Sequence, residues 1–318
     1  MRYGIIDIGS NTMRAVAFEV YEDNGFHEVV NEKEFAEILS FVEDDVLTEG
    51  GVRQLCTVLK HMKRLLIETQ CDEYSCFATA SLRDIKNQSY VLETVEKEVG
   101  IRIRLLEGCE EAYYDYIGLQ SCVSDAEAVG FDLGGGSAQV FSFDDYGIIA
   151  STSQEIGTLA MYNKHVKGLF PNSKQRAKIV KNVEKKLEGT MDFSKISHRY
   201  IYGMGGTARA VAKVHRHFIG SDGSTHGYSV TIEELEEFET AIMALGLGGI
   251  KILNRLIPER LVTFMPGLII IKTIMRIVGA NELIVVGHGV REGYLIENAI
   301  HRGRGFDEYQ ENGQSLCQ

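Results

Sequence analysis

The chain has 318 residues, of which 44% are hydrophobic and 25% are charged, and its formal net charge is −12 at pH 7. This composition is typical of a globular protein with enough length for two hydrophobic cores. The acidic balance disfavours a general nucleic-acid or membrane-surface binder, because such proteins normally present a basic face.

In the first half the hydrophobic pattern alternates between the strand period and the helix period. The predicted elements are a hairpin at about 3–20, a helix at 50–69, a strand at 73–81, a helix at 90–100, a strand at 101–108 and a helix at 110–120. This half therefore reads as one α/β domain.

The second half repeats the same rhythm after periodicity is lost at about 122–126. The predicted elements are a hairpin from about 128, a helix at 173–188, a strand, glycine turn and helix at 199–214, a helix at 231–246, an apolar helix at 264–280, a strand at 282–287 and a helix from Arg291. The apolar helix contains Lys272 and Arg276 and is too short to cross a bilayer, so it is interpreted as buried. We predict an N-terminal domain over 1–124, a C-terminal domain over 125–300 and a polar tail over 301–318.

The six cysteines form no CxxC pair and no Cys/His metal spacing. Free thiols are the expectation, which favours a reducing, cytoplasmic location and disfavours structural zinc. The first residues lead directly into an apolar strand, so we expect no signal peptide.

Two stretches share one plan. "YGIIDIGSNTMRAVAFEV" (3–20) and "AVGFDLGGGSAQVFSF" (128–143) each run from an apolar strand through an aspartate and a glycine-containing turn to a second strand. The aspartates are Asp7 and Asp132. The repeat predicts a duplicated domain with a phosphate-sized site between the copies.

Four glycine-rich turns follow predicted strands, at 7–11, 132–137, 203–210 and 287–293. Glycine lets peptide N–H groups approach a ligand closely, and such a nest of amides binds anions, most often phosphate. Any one of these stretches is compatible with a plain tight turn. Four at strand ends favour a ligand that carries several phosphates.

One basic stretch interrupts the acidic composition. Lys174, Lys178, Lys181 and Lys185 are spaced three or four residues apart, which places them on one helical face. A solvated surface is the preferred interpretation, and steering of a polyanion is the alternative.

Taken in order, "IDIGSNTMR", "FATASLRDIKN", "GCEEA", "FDLGGGSAQ", "YGMGGTARA", "HGY", "FMPG" and "GVREGYL" resemble the exopolyphosphatase/guanosine pentaphosphate phosphohydrolase (Ppx/GppA) phosphatase family. The resemblance covers residues 3 to about 300. It implies an α/β fold of duplicated actin-like ATPase (ribonuclease H-like) domains flanking a phosphate-binding cleft. It also implies magnesium-dependent hydrolysis of the terminal phosphate of linear polyphosphate or guanosine pentaphosphate.

The glycine turns and neighbouring polar side chains are expected to hold the phosphates: Gly9, Ser10, Asn11, Gly134, Gly135, Gly136, Ser137, Gly205, Gly206 and Thr207. Asp7 and Asp132 are placed for magnesium, directly or through its waters, because this ion prefers a few carboxylates plus water at phosphate sites. A structural role, in which these aspartates accept turn amides, is the alternative.

The resemblance aligns Glu111 with the family's catalytic glutamate, which would assist the attack of water. For Glu110 the preferred interpretation is a favourable interaction with the helix dipole. Arg14, Arg83 and Arg291 match basic positions of the family and suit bidentate phosphate contact. Arg291 is equally compatible with pairing to a nearby acid.

Two residues depart from the family pattern. Gln139 stands where the family usually has a second glutamate of the cleft, and an amide orients water but takes no proton. The alternative function is therefore a low-activity or non-catalytic sensor of polyphosphate or guanosine polyphosphates. His288 occupies a position that is commonly small or acidic in the family, and its role is open. A kinase or filament protein on the same fold fits the glycine loops but not "CEEA" and "VREG".

The chain resembles a short form of the family, without the C-terminal extension by which larger members grip long chains. We therefore expect short polyphosphates or nucleotide polyphosphates as substrates. A homodimer is possible, and neither nucleic acid nor membrane is expected as a partner.

Overall fold

The computed structural model describes residues 1–9, 12–191 and 199–301. Ser10, Asn11 and residues 302–318 of the predicted polar tail lie outside these residues. The chain forms two compact units: unit 1 contains Met1–Glu111 together with residues 294–301, and unit 2 contains Ala112–Gly293. Compactness and ancestral duplication are different criteria, so the predicted boundaries at 124/125 and 300/301 stay a prediction.

Unit 1 is built on a five-stranded mixed sheet with the spatial order β3-β2-β1-β6-β7. Its strands are β1 (Arg2–Ile8), β2 (Met13–Val20), β3 (Phe26–Glu34), β6 (Glu73–Ala78) and β7 (Ile103–Leu105), and a short ladder joins β4 (Val42–Glu43) to β5 (Val46–Leu47). β1, β6 and β7 are parallel, whereas β2 and β3 run antiparallel to their neighbours. The helices are α1 (Glu49–Glu68), α2 (Ala80–Arg83), α3 (Gln88–Val99) and the start of α4 (Gly108–Gln120).

The core of unit 1 follows from the helical spacing of α1. Val52, Leu55, Leu59, Met62 and Leu66 are all buried, because residues three or four apart share one helix face. At its start, the Thr48 side chain accepts a hydrogen bond from the Gly51 amide at 3.3 Å.

Unit 2 is built on a six-stranded sheet with the order β10-β9-β8-β11-β13-β12. Its strands are β8 (Ala128–Leu133), β9 (Ala138–Asp144), β10 (Gly147–Gln154), β11 (Tyr200–Met204), β12 (Tyr228–Thr231) and β13 (Glu282–Val285). Its helices are the larger part of α4, then α5 (Thr158–His165), α6 (Ser173–Leu187), α7 (Gly205–Phe218), α8 (Ile232–Ala244), α9 (Leu247–Leu256), α10 (Phe264–Val278) and the start of α11 (Val290–Leu295). The end of α11 and the π-helical turn that follows at Ile296–Ile300 belong to unit 1.

The two sheets share a topology. In each, a three-stranded antiparallel meander lies beside two further strands that are parallel to the first, and only β12 has no counterpart. The repeated order agrees with the duplication predicted from the two aspartate motifs.

The helix predicted at 264–280 is α10, and it is buried along most of its length. Its Lys272 is 0% exposed and forms an ion pair with Glu239 of α8. Glu239 also accepts a hydrogen bond from Arg176 Nε of α6 at 3.0 Å. A buried charge is tolerated only when it is paired, so this triad ties three helices together around α10.

Several elements differ from the sequence prediction. The strand expected over 101–108 is confined to Ile103–Leu105, and β3, β10, β12, α5 and α9 were not predicted. β3 is a polar edge strand that does not alternate cleanly between apolar and polar residues, so it lacks the strand period. α9 has two glycines in its first turn, which interrupt the helical spacing of its apolar residues. Across the described residues, every helix is too short or too polar to span a membrane.

Candidate functional site

The polar motifs of each unit lie where its parallel strands end. In unit 1, Asp7 is near the end of β1, while α2 and α4 begin soon after β6 and β7. In unit 2, Asp132 is near the end of β8, and the next glycine turn follows β11. Open α/β sheets bind ligands at this edge. Each unit therefore presents its candidate residues at the expected side of its own sheet.

The glycine loop of unit 2, residues 134–137, caps helix α5. Hydrogen bonds of 2.9 to 3.1 Å run from the amides of Gly157, Thr158, Leu159 and Ala160 to the carbonyl oxygens of Gly134, Gly135 and Gly136. The first amides of a helix have no partner within the helix, and here the loop supplies the acceptors that a side-chain cap would otherwise provide.

This capping fixes the direction of the loop's own N–H groups. In a trans peptide the N–H points opposite to the preceding C=O, and the described residues contain no cis peptide. With three carbonyls directed at α5, the amides of Gly135, Gly136 and Ser137 point away from it. None of the three has an acceptor among the described residues, and all are partly exposed. Three adjacent amides with one orientation form a nest for an anion.

Gly157 is essential to this arrangement, and its sequence context does not predict that role. A Cβ at Gly157 would overlap the backbone of Gly135 and Gly136. Only glycine lets α5 approach the loop this closely. A single glycine in "EIGTL" carries no sequence signal that distinguishes it from an ordinary turn.

The second glycine turn of unit 2 packs against the first. Gly205 begins α7 with φ of +76°, and a Cβ there would overlap the Asp132 carboxylate. The N-terminus of α7 has no side-chain cap, so its first-turn amides are donors for an outside acceptor. The helix dipole adds partial positive charge at the same place.

Arg260 is a second residue whose role its sequence context does not predict. Its guanidinium lies against Gly206, where a Cβ would overlap Nη2, and its Nη1 donates to Thr207 Oγ1 at 3.3 Å. Burial lowers the pKa of Arg260, although the charges of Glu259 and Asp132 oppose the effect. The half-buried cation has no ion pair within the described part of the chain. The Asp132 carboxylate already lies at this helix N-terminus, and an anionic ligand would add a second counter-charge for the guanidinium and the dipole.

Gln139 lies beside Asp132, because the two residues are register partners on β8 and β9. It is 3% exposed, and its Nε2 donates to Ser137 Oγ at 3.2 Å and to Ser153 Oγ at 3.0 Å. Since Ser137 accepts this bond, its own hydroxyl proton is directed to another acceptor. A glutamate would act only as an acceptor here and would reverse that polarity.

In unit 1, Asp7 and Arg14 are register partners on β1 and β2 and therefore share one face. Gly9 closes the turn between these strands by donating its amide to Thr12 O at 3.2 Å. Arg14 donates to the side chain of Asn31 on β3. The structure thus brings Asp7, Gly9 and Arg14 to one strand end.

Glu111 lies in the first turn of α4, where an ion pair fixes its carboxylate. Arg83 Nη1 donates to Glu111 Oε1 at 2.7 Å and to the carbonyl of Leu106 at 2.7 Å. The side chain of Glu111 is only 8% exposed and that of Arg83 only 16%. Burial alone would lower the pKa of Arg83, but its attraction and hydrogen bonds to Glu111 and Asp84 prevail and raise it. Arg83, expected to contact phosphate, also positions Glu111.

Glu110 has different partners. Its carboxylate takes Arg104 Nη2 at 2.7 Å on one oxygen and the backbone amide of Glu107 at 2.9 Å on the other. These contacts resemble a helix cap and agree with the dipole role expected for this residue.

The last predicted motif lies at the start of α11. Arg291 is half-buried there, and Glu292 accepts the Gly289 amide at 2.8 Å. His288 forms a 2.7 Å hydrogen bond with Ser121 Oγ, and its ring is 6.3 Å from that of His226. The phosphate role of Arg291 and the role of His288 stay predictions.

The donor set agrees with a magnesium ion that keeps most of its waters. Among the described residues no three His, Cys, Asp or Glu side chains could hold a metal together. Magnesium at phosphate sites needs only one or two carboxylates, with water and phosphate oxygens completing the octahedron. The Asp132 carboxylate, at the accessible end of β8 beside a glycine turn, suits that role.

Comparison with known proteins gives a family match. The profile of the "Ppx/GppA phosphatase family" matches residues 22–301. A bifunctional 3-dehydroquinate synthase/phosphatase from Fusobacterium nucleatum is 27% identical over 317 residues, covering 93% of this chain and 46% of the relative. A guanosine-5'-triphosphate,3'-diphosphate pyrophosphatase from Aeromonas hydrophila is 24% identical over 99% of this chain and 62% of its own length. The chain thus spans about half to two thirds of the length of these curated relatives.

A solved structure supports the fold. An exopolyphosphatase from Cytophaga hutchinsonii superposes with a TM-score of 0.84 at 20% identity, covering 95% of this chain and 98% of that one. The predicted α/β fold of the actin-like ATPase type is confirmed by this match and by the repeated sheet topology.

Proposed function

The chain belongs to the Ppx/GppA phosphatase family, and from this premise we propose that it is a magnesium-dependent hydrolase. It removes the terminal phosphate from linear polyphosphate or guanosine pentaphosphate by in-line attack of water. The observation that carries the proposal is the common orientation of the amides of Gly135, Gly136 and Ser137. It is set by the hydrogen bonds that the carbonyl groups of the loop accept from the start of α5.

These amides bind the terminal phosphate and stabilise the negative charge on its oxygens. Phosphoryl transfer depends mainly on positioning and on electrostatic stabilisation, which fixed backbone donors supply without reorganisation. The N-terminus of α7 and the guanidinium of Arg260 bind the next phosphates. A charge-assisted contact with phosphate satisfies both the helix dipole and the arginine.

Glu111 orients and deprotonates the attacking water. Its carboxylate is held in one rotamer by Arg83, and such a fixed base needs no further ordering when substrate binds. Arg83 Nη2 makes no hydrogen bond within the described residues, so it stays available to a phosphate oxygen while Nη1 holds Glu111.

Asp7 and Asp132 hold the magnesium ion, directly or through water, when it is bound. Magnesium held there would neutralise part of the phosphate charge. Gln139 orients a water ligand or a phosphate through the Ser137 hydroxyl that it directs.

A second candidate function is a sensor that binds polyphosphate or guanosine polyphosphates without turnover. The observation in its favour is the buried amide of Gln139, which hydrogen-bonds to Ser137 and Ser153 and cannot accept a proton. The two functions share the phosphate-binding residues and differ only in turnover.

Phosphate release from tripolyphosphate, longer polyphosphate and guanosine pentaphosphate, with and without magnesium, tests the proposal. Glu111→Gln should lower kcat by about 10²- to 10⁴-fold, because a positioned base contributes that much. Glu110→Gln is the matched control: it removes the same charge one residue away and should retain most activity.

Equal activity of Glu111→Gln and wild type would remove the base assignment. Tight binding of all substrates by the wild type, without phosphate release at any magnesium concentration, would replace the hydrolase with the sensor.

A further inference from the structure

The surface of α5 and α6 has a charge opposite to that of the whole protein. Residues 164–187 contain seven lysines and one arginine against a single acidic residue, Glu184, in a chain whose net charge is −12. A local excess of this size attracts polyanions while the rest of the surface repels them.

The core of this surface is the lysine stripe, defined here as Lys174, Lys178, Lys181 and Lys185. All four lysines are exposed, and none has an ion pair within the described part of the chain. They are spaced by four, three and four residues, so they align along about 16 Å of α6. Their alignment offers four cations in a row to one extended ligand.

The stripe continues onto the end of α5. Lys164 and Lys167 are exposed, and Asn182 of α6 lies 3.2 Å from His165 Nε2. Burial first, and then the charges of Lys164 and Lys178, lower the pKa of His165, in keeping with a shared positive field. The two helices thus form one basic surface.

This surface is attached to the glycine loop. The amides that begin α5 are bound to the loop carbonyls, and the basic end of the helix follows eight residues later, at about 12 Å. At the other end, Lys186 of α6 lies 3.4 Å from Glu155, two residues before Gly157. The basic surface and the glycine loop therefore lie on the same unit and are connected through α5 and through the Lys186–Glu155 contact.

We propose that the lysine stripe binds the remote phosphates of a linear polyphosphate whose terminal residue occupies the glycine loop. This inference rests on the proposed function and deepens it: chains long enough to reach the stripe bind more tightly than short ones. It revises the expectation of short substrates, which rested on the resemblance to family members without the C-terminal extension.

The composition of the stripe favours an inorganic phosphate chain over single-stranded nucleic acid. Lysine binds phosphate as a point charge, whereas proteins that bind single strands also stack bases on aromatic side chains. No aromatic residue lies between positions 171 and 187. An inorganic polyphosphate chain has no bases to stack, so the lysine contacts are sufficient to bind it.

The test uses the full chain with Lys174, Lys178, Lys181 and Lys185 all changed to Gln. The control changes four exposed lysines elsewhere to Gln, namely Lys60, Lys86, Lys97 and Lys251, so that both variants have the same net charge. KM and kcat are measured for long-chain polyphosphate and for tripolyphosphate at several potassium chloride concentrations. Binding of labelled long-chain polyphosphate without magnesium is measured in parallel.

For the stripe variant we expect KM for long-chain polyphosphate to rise about tenfold, since four exposed charge contacts are lost. The slope of log KM against log salt should also fall, by about 0.7 per lysine if the counterions behave as on a single-stranded nucleic acid. The tripolyphosphate parameters, and all parameters of the control variant, should stay at wild-type values.

Equal long-chain affinity and salt slope in the stripe variant and the wild type would overturn the inference while leaving the hydrolase intact. If the wild type binds long chains but releases no phosphate, the proposed function fails and the binding arm still decides on the stripe. Competition by an RNA oligomer at equal phosphate concentration would mean that the surface is a nucleic-acid site and would also overturn it.

Discussion

The two units carry the same strand order but different chemistry at their strand ends. In unit 1 the fixed groups are side chains, above all the Arg83–Glu111 pair at 2.7 Å. In unit 2 they are largely backbone groups: the amides of the glycine loop, oriented by α5, and the start of α7 beside Arg260. A duplicated scaffold can thus specialise, with one copy supplying a carboxylate and the other a set of fixed donors.

In unit 2, helix α10 supports the elements that carry the backbone donors. In unit 2, Gly267 near the start of α10 lies against Thr158 of α5 and Thr207 of α7, and a Cβ there would crowd both. The buried Lys272 farther along α10 is paired with Glu239. The position of the backbone donors in unit 2 therefore depends on the packing of α10 against the starts of α5 and α7.

The largest expected effect is on stability. Glu239→Gln should lower the free energy of unfolding by about 3–5 kcal/mol, because it leaves Lys272 buried without its counter-charge. Urea unfolding measures the change. Glu98→Gln, in the exposed Lys60–Glu98 pair of unit 1, is the control and should cost about 0.5 kcal/mol or less.

The same substitution has a pH signature. Glu239 is buried, which alone would raise its pKa, yet hydrogen bonds and charges from Arg176 and Lys272 lower it. A carboxyl with a lowered folded-state pKa stabilises above its unfolded-state pKa, and this stabilisation is lost as the pH falls through the folded-state value. The gap between wild type and Glu239→Gln should therefore narrow in acid, and a constant gap down to pH 2 would contradict the triad.

The next effect tests the backbone donors of unit 2. Gly157→Ala should lower kcat/KM for tripolyphosphate by about 10²-fold, because displacement of reacting groups by about 1 Å has that effect. Gly248→Ala in α9 should be silent, since its Cβ would lie 3.7 Å from the nearest side-chain atom. If Gly157→Ala turns over substrate normally, the loop orientation is not what binds phosphate.

Arg260→Met should act more weakly. We expect KM for tripolyphosphate to rise about tenfold to a hundredfold, the range for a lost hydrogen bond to a charged group. Arg255→Met removes an exposed arginine nearby, whose Nη2 contacts His217 at 2.7 Å, and should leave KM unchanged. Similar KM values for the two variants would show that Arg260 serves packing alone.

The smallest effect concerns Gln139. Gln139→Glu adds a carboxylate beside Asp132, so the magnesium concentration needed for half-maximal activity should fall about three- to tenfold, since ligand charge sets cation affinity. Gln154→Glu on the neighbouring β10 is the matched control. An unchanged magnesium requirement in Gln139→Glu would place the ion away from this residue.

The sequence contained the motifs but not their mutual support. Asp7, Asp132 and the glycine turns were located correctly at strand ends, because local patterns of apolar runs and glycines encode them. Gly157 and Arg260 were missed, since each acts through contacts with residues that are distant in sequence: Gly157 with Gly136, and Arg260 with Thr207.

The sequence also does not predict which groups the charged side chains contact. Arg83 was expected on phosphate, yet its Nη1 holds Glu111, 28 residues away in the chain. The helix α5, which orients the amide nest, has only eight residues and little apolar periodicity. Tertiary contacts of this kind leave no period in one sequence, so only the three-dimensional structure assigns them.

The most direct test is an NMR titration of the full chain, labelled with ¹⁵N in glycine and serine, with tripolyphosphate. We expect the amides of Gly135, Gly136 and Ser137 to show the largest shift changes and to saturate together, and we expect Gly157→Ala to abolish these changes. Saturable tripolyphosphate binding that leaves these three amides unshifted would contradict this expectation.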